Sequence, residues 1–430
     1  MSRPKAFILP TDTRVAPFGD PVSEAYFTDE TIRDSQLRAL RYAGFEPVAP
    51  ASVAEAIAAA QAETEPMLFL LDRVFLTEKA ARDFVKQAKK KKRLPAALAL
   101  PINASVEYTL PLQDVLVDHH RVVHDVVLTD AAHLPAHNAD AVAWIRRFRE
   151  DALFVDVQMR EVVIEAPLPV IGERKGAVLR YPLTSTLVVS VEHWTHILWL
   201  NQIAFGVRWI ELMRRRPLWA AWRAASALSL DAERILMRLV WRGRNVRIHP
   251  TATLMGSIIG DNVTIGPHVT VKNSIVGAGT TLLDHSALVN SVVGQNNLIT
   301  ENTFMVSTVT YPDATVGNYK LQVSLIGRGA YVNAWAGFVD AKFVGHVAVA
   351  HKGGLASTER QFLGSVVGHR ARVAAKVLIH PGREIPNDAL IVMRPDEVVS
   401  TIPADLVPDR PMVRDGGTLV PLGTEKKGNP

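Results

Sequence analysis

A four-residue word, serine followed by two apolar residues and usually glycine, recurs six times between Ser257 and Gly368. The copies begin at Ser257, Ser274, Ser291, Ser307, Ser324 and Ser365, in steps of 17, 17, 16, 17 and 41 residues. The fourth copy, Ser307-Thr308-Val309-Thr310, is degenerate. A unit this short cannot enclose a core of its own, so each copy must be one coil of a solenoid covered by the next. Within a coil, Ile259, Ile265 and Val271 fall six residues apart. That beat describes a triangular coil of three short strands with an aliphatic side chain pointing inward from each. Glycine beside it permits the tight corner where a Cβ would clash. The coil is expected over residues 247–392.

The last step exceeds one coil by 24 residues, which places an inserted loop near 340–361. Loops that leave a regular scaffold are where such folds carry chemistry. Ahead of the coil, residues 1–180 alternate strand-like and helical runs, from Ala6–Leu9 through Met67–Leu71 to Ala96–Leu100. Strand and helix in turn predict a parallel sheet covered by helices. Between them, 190–246 holds six of the eight tryptophans, on amphipathic helices broken near Pro217 and Asp231. A basic aromatic helix suits a membrane surface. The preferred reading is a cap over the coil's open end, which would otherwise expose its apolar interior. Residues 393–430, rich in proline, glycine and charge, read as an irregular strap or disordered tail.

Composition narrows the classes. Cysteine is absent, so disulfides and thiolate metal sites are excluded. No apolar run reaches the roughly 18 residues of a spanning helix, and a soluble cytoplasmic protein is the expectation. The net charge of +5 is clumped at Lys89–Arg93 and Arg214–Arg216. Without interleaved aromatics or a recognised module, the lysine run reads as a solvated face and not as a nucleic-acid site.

The hexad coil resembles the left-handed parallel β-helix of hexapeptide-repeat transferases. The order of segments is similar to bifunctional sugar-1-phosphate nucleotidyltransferase/acetyltransferases, in which a nucleotidyltransferase head precedes such a helix. Three further stretches carry the likeness: Ala6–Leu9 with Arg14 and Ser35–Gly44, Val191–Trp194 with Leu198 and Asn201, and Leu325–Phe343 with Arg360–Gly368. The fold implied is an α/β head with a truncated parallel sheet, followed by a left-handed parallel β-helix.

The resemblance implies action on a sugar phosphate or nucleotide sugar, with acyl-CoA as donor at the coil, Mg2+ only for an active head, and a homotrimer. Arg14 stands at the family's basic position, and Asp72 is the heir of its metal-binding carboxylate. The phosphate loop departs from the pattern, reading Pro10-Thr11-Asp12-Thr13 where glycines would let backbone N–H groups approach phosphates. The family's catalytic histidine is missing before the fifth word, where Asn318-Tyr319-Lys320-Leu321-Gln322 stands. His346 and His351, on or beside the insertion, are the alternative bases, since a base needs a pKa near neutrality. Other coil histidines are expected at corners. Lys320, Arg328 and Lys342 are the cations available for a sugar phosphate. A non-catalytic nucleotide-sugar binder or scaffold is the competing expectation.

Overall fold

A computed structural model describes residues 3–167, 178–404, 406 and 409–424. In the head, Lys5–Leu9 pairs in parallel with Glu46–Val48 on one side and Met67–Leu71 on the other. Ala96–Pro101 and Leu153–Asp156 form a second parallel pair. Between the pairs lies Arg121–Thr129, antiparallel to both of its neighbours. The sheet is therefore mixed, where an all-parallel one was expected. The cause is local: a tight turn with His119 at φ +53° folds Arg121–Thr129 back on Leu116–Asp118 as a hairpin and reverses its direction.

Helix Ile32–Tyr42 starts at a reciprocal cap, with Thr31 accepting from Asp34 N and Asp34 accepting from Thr31 N. Helix Glu78–Lys91 ends in Lys89, Lys90 and Lys91, all exposed, where cations suit the negative end of the helix dipole. The lysine run is thus a solvated helix end.

From Trp241 to Ile391 the chain winds as a left-handed parallel β-helix. One face stacks eight two-residue strands from Trp241–Arg242 to Glu384–Ile385, and a second stacks eight from Arg247–Ile248 to Leu390–Ile391. The third runs from Thr253–Met255 to Leu321–Gln322, then resumes as Gly337–Phe338 on Leu378–Ile379. Ile259, Val276, Val293, Ile326 and Val367 form one internal column, and Ile265, Leu282, Ile299 and Val316 another.

Each letter of the repeated word has a cause. The serine hydroxyls form a buried ladder: Ser257 Oγ accepts from Ser274 N, Ser274 Oγ from Ser291 N, and Ser291 Oγ from Thr308 N. Of the two apolar residues, the second points into the prism and the first points out. The outward column of Ile275, Val292, Val309, Leu325 and Val366 is buried nonetheless, because helix Trp194–Arg215 lies across it with Ile197, Leu198, Ile203 and Val207. The glycines have ordinary backbone angles; a Cβ on Gly277 would sit 2.5 Å from the carbonyl carbon of Gly294, one coil on. The corners are made instead by residues in the left-handed region, among them Asn245, Asn262 and Asn296 at φ +55°, +58° and +54°. His268 and His285 occupy such corners, as the sequence led us to expect, and there their rings stack at 4.9 Å.

Pairing also corrects the fourth word. Val309 stands opposite Val292 and Thr310 opposite Val293, so the ladder residue is Thr308, and Tyr311 takes the glycine's place. Within the tryptophan-rich segment, which the sequence reading took as a cap, the long helix runs along the coil's flank, where the outward apolar column offers a long stripe to cover, while helix Ala232–Arg238 packs on Thr253–Met255 at the coil's start. Among the described residues no helix is long and apolar enough to cross a membrane.

Candidate functional site

The carboxyl ends of Lys5–Leu9, Glu46–Val48 and Met67–Leu71 open onto one cavity of about 380 Å³, the edge at which α/β sheets commonly hold ligands. Pro10, Asp12, Thr13, Arg14, Arg33, Gln36, Ala51 and Asp72 line it. Arg14 donates to Gly19 O at 2.6 Å, and Arg33 stands exposed in the first turn of Ile32–Tyr42. Gln36 Nε2 donates to the carbonyls of Leu71, Asp72 and Val74, which fixes the amide's orientation. Its Oε1 is buried with no partner. A lone buried acceptor beside a cavity suits a hydroxyl donor from a ligand.

Arg14 and Asp72, proposed from sequence, are thus brought together. Asp72 does not act as a free carboxylate. Thr11 donates its hydroxyl to Oδ1 at 2.6 Å and its amide to Oδ2 at 3.2 Å. Burial pushes the carboxyl above its usual range against these bonds and against Arg73. The carboxylate therefore fastens its own loop, and the pocket does not fit a magnesium ion. Only Asp12 is left free of such a bond, two arginines compete with a cation, and no cluster of three metal-ligating side chains occurs among the described residues.

The insertion forms a hairpin, Ala348–His351 paired with Gly354–Ser357. His351 closes its first strand and sits edge-on to His193, ring centres 5.6 Å apart. Burial, then His193 and Lys352, hold its pKa below the ordinary imidazole value, so the ring is neutral near neutral pH. His193 caps helix Trp194–Arg215: its Nδ1 accepts from Thr195 N, and its Nε2 donates to Ala350 O at 3.0 Å. His196, pushed down to about 3 by full burial, accepts from Glu192 N and donates to Pro111 O. Glu384 Oε1 accepts from Trp194 Nε1 at 2.8 Å and lies 3.5 Å from His193. The contact of His193 with His351, and the Trp194 and Glu384 groups around His193, were not foreseen. The only signal was the segment Val191–Trp194 itself.

The remaining candidates do not converge. His346, Lys342 and Lys320 are exposed; the Lys342 ammonium donates to the His346 carbonyl. Arg328 lies at a contact between head and coil, 3.8 Å from Asp20. There Asp20 accepts from His369 Nε2 at 2.8 Å, His369 Nδ1 accepts from Arg328 N, and Phe18 stacks on both His369 and Tyr311. Asn318, standing where a histidine was sought, is buried and donates to Ala336 O.

Among protein families, the one described as bacterial transferase hexapeptide (six repeats) matches residues 243–273, at the start of the coil. The match does not extend to the head. No curated protein matches the chain.

Proposed function

We propose that this protein is a transferase of the hexapeptide-repeat type that acts on sugar phosphates or nucleotide sugars, with acyl transfer from an acyl-CoA at the coil. The observation that carries this reading is the place of His351, edge-on to His193 on the inserted hairpin of a coil whose opening turns match a transferase family; burial holds its pKa below the ordinary imidazole value, as a base requires. In the reaction, His351 removes the proton from a sugar amine or hydroxyl as that atom attacks the thioester carbonyl. The tetrahedral intermediate collapses, the carbon–sulfur bond breaks, and the imidazolium returns its proton to the departing thiolate. A cytoplasmic homotrimer goes with this reading, with the exposed Lys320, Lys342 and His346 available to a site shared between subunits.

The head pocket supports the sugar-phosphate half. Arg14 and Arg33 supply charge for phosphate, and Gln36 Oε1 supplies an acceptor for a hydroxyl. A second reading, a non-catalytic nucleotide-sugar binder, is favoured by the capture of Asp72 by Thr11, which leaves the head without a metal site.

Thiol release from acyl-CoA, measured with a panel of sugar phosphates and nucleotide sugars, separates the two. Turnover that falls at least ~100-fold in His351→Gln supports transfer. Saturable ligand binding without any thiol release supports the binder and removes the transferase.

A further inference from the structure

We propose that the helical hairpin between the long helix and the coil is a peripheral docking surface for an anionic membrane. Helix Pro217–Ala225 and helix Ala232–Arg238 pack on each other, yet neither has a single buried residue. Short helices in water owe most of their stability to a buried apolar face; here Trp219 and Leu236 pack against the long helix and the coil, while a second set of apolar residues is left in solvent. Leu218 and Trp222, one turn apart, are 85% and 65% exposed. At the tip, Leu228 and Leu230 are 94% and 100% exposed. Leu228 is held at φ +48°, an unfavourable backbone region for a leucine, with its side chain in solvent.

Charge identifies the occupant. From Met213 to Arg247 the chain carries nine arginines against two acidic residues, Asp231 and Glu233. Arg223, Arg238 and Arg242 lie close enough for the last two to act on the first, and Arg223 Nε donates to Arg238 O. No carboxylate lies within ion-pair distance of Arg223, Arg234, Arg238 or Arg242 among the described residues. Apolar residues at the tip and on the first helix, with arginines along both helices, complement the headgroup and acyl boundary of a negatively charged leaflet: leucine and tryptophan enter, guanidinium groups meet phosphate, and Asp231 beside the tip is engaged in capping the second helix. The lysine run at the end of Glu78–Lys91 offers no such apolar partner, and charge alone would give a weaker, wholly salt-sensitive attachment.

The test is flotation of the full chain with phosphatidylcholine vesicles containing about one-third phosphatidylglycerol. The protein is expected to float with these vesicles and not with pure phosphatidylcholine. The bound fraction should fall at least ~10-fold in Leu228→Glu/Leu230→Glu and in Arg234→Glu/Arg238→Glu. Both pairs are exposed, so unchanged thermal unfolding is the control. Failure to float with anionic vesicles overturns the proposal, as does equal flotation with neutral ones. An oligomer that Leu228→Glu/Leu230→Glu dissociates, with no lipid binding by the parent chain, assigns the hairpin to a contact between copies and also overturns it.

Discussion

At Asp72, burial outweighs two hydrogen bonds and a nearby guanidinium, so the folded chain favours the protonated carboxyl. A folded pKa above the unfolded one contributes stability that is complete below the unfolded value and lost as pH rises through the folded one. Asp72→Asn keeps a neutral acceptor for Thr11 at every pH. Its melting temperature relative to the parent should therefore climb as pH rises above the ordinary carboxylate range; a deficit that grows over that rise contradicts the assignment. The serine ladder makes a second residue-level prediction. Ser291→Ala leaves the buried Thr308 N–H without its acceptor, and denaturant unfolding should show a loss of about 1–3 kcal/mol. That Arg14 and Asp72 lie at one strand edge was legible in the sequence, because a strand end and its loop are local features; that Thr11 engages both oxygens of Asp72 was not. The contacts of His193 with His351 and of Trp194 with Glu384 were not legible either, since nothing local ties Trp194 to a carboxylate 190 residues away.

Among elements, the coil is specified by close approach as much as by hydrophobicity. Gly294 admits the next turn so tightly that a Cβ would lie 2.6 Å from the carbonyl carbon of Tyr311. Gly294→Ala must push backbone against backbone, and chemical denaturation should report about 1–3 kcal/mol of destabilisation. A neutral result would mean the turns are not stacked in this register. The period of the repeat revealed the coil, but its fourth word was framed one residue early because Ser307 imitates the ladder serine. The degeneracy proves informative: Tyr311, in place of glycine, stacks on Phe18 and accepts from Tyr26 N, so the break in the repeat marks where the head docks. In the head, alternating runs disclosed strands and helices, whereas the reversal of Arg121–Thr129 depended on a turn at His119 that carries no strong turn residue.

For the whole molecule, head and coil are joined by polar contacts as well as by the long helix. Asp20 reaches across to His369, whose burial keeps it neutral, with Nε2 as donor to the carboxylate and Nδ1 as acceptor from Arg328. A depressed histidine contributes stability that is present above its unfolded pKa and lost as pH falls through the folded one. Asp20→Ala removes the hydrogen bond and should lower stability at pH 7 by about 1–3 kcal/mol; an unchanged midpoint contradicts this junction. Transferase and binder share one claim, that the head holds an anionic sugar ligand at the carboxyl edge of its sheet. Calorimetric titration of nucleotide sugars into the parent chain, Arg14→Ala and Arg33→Ala tests it most directly. Saturable binding that weakens at least ~10-fold in each variant is the predicted result; no binding by the parent, or equal affinity in all three, contradicts it.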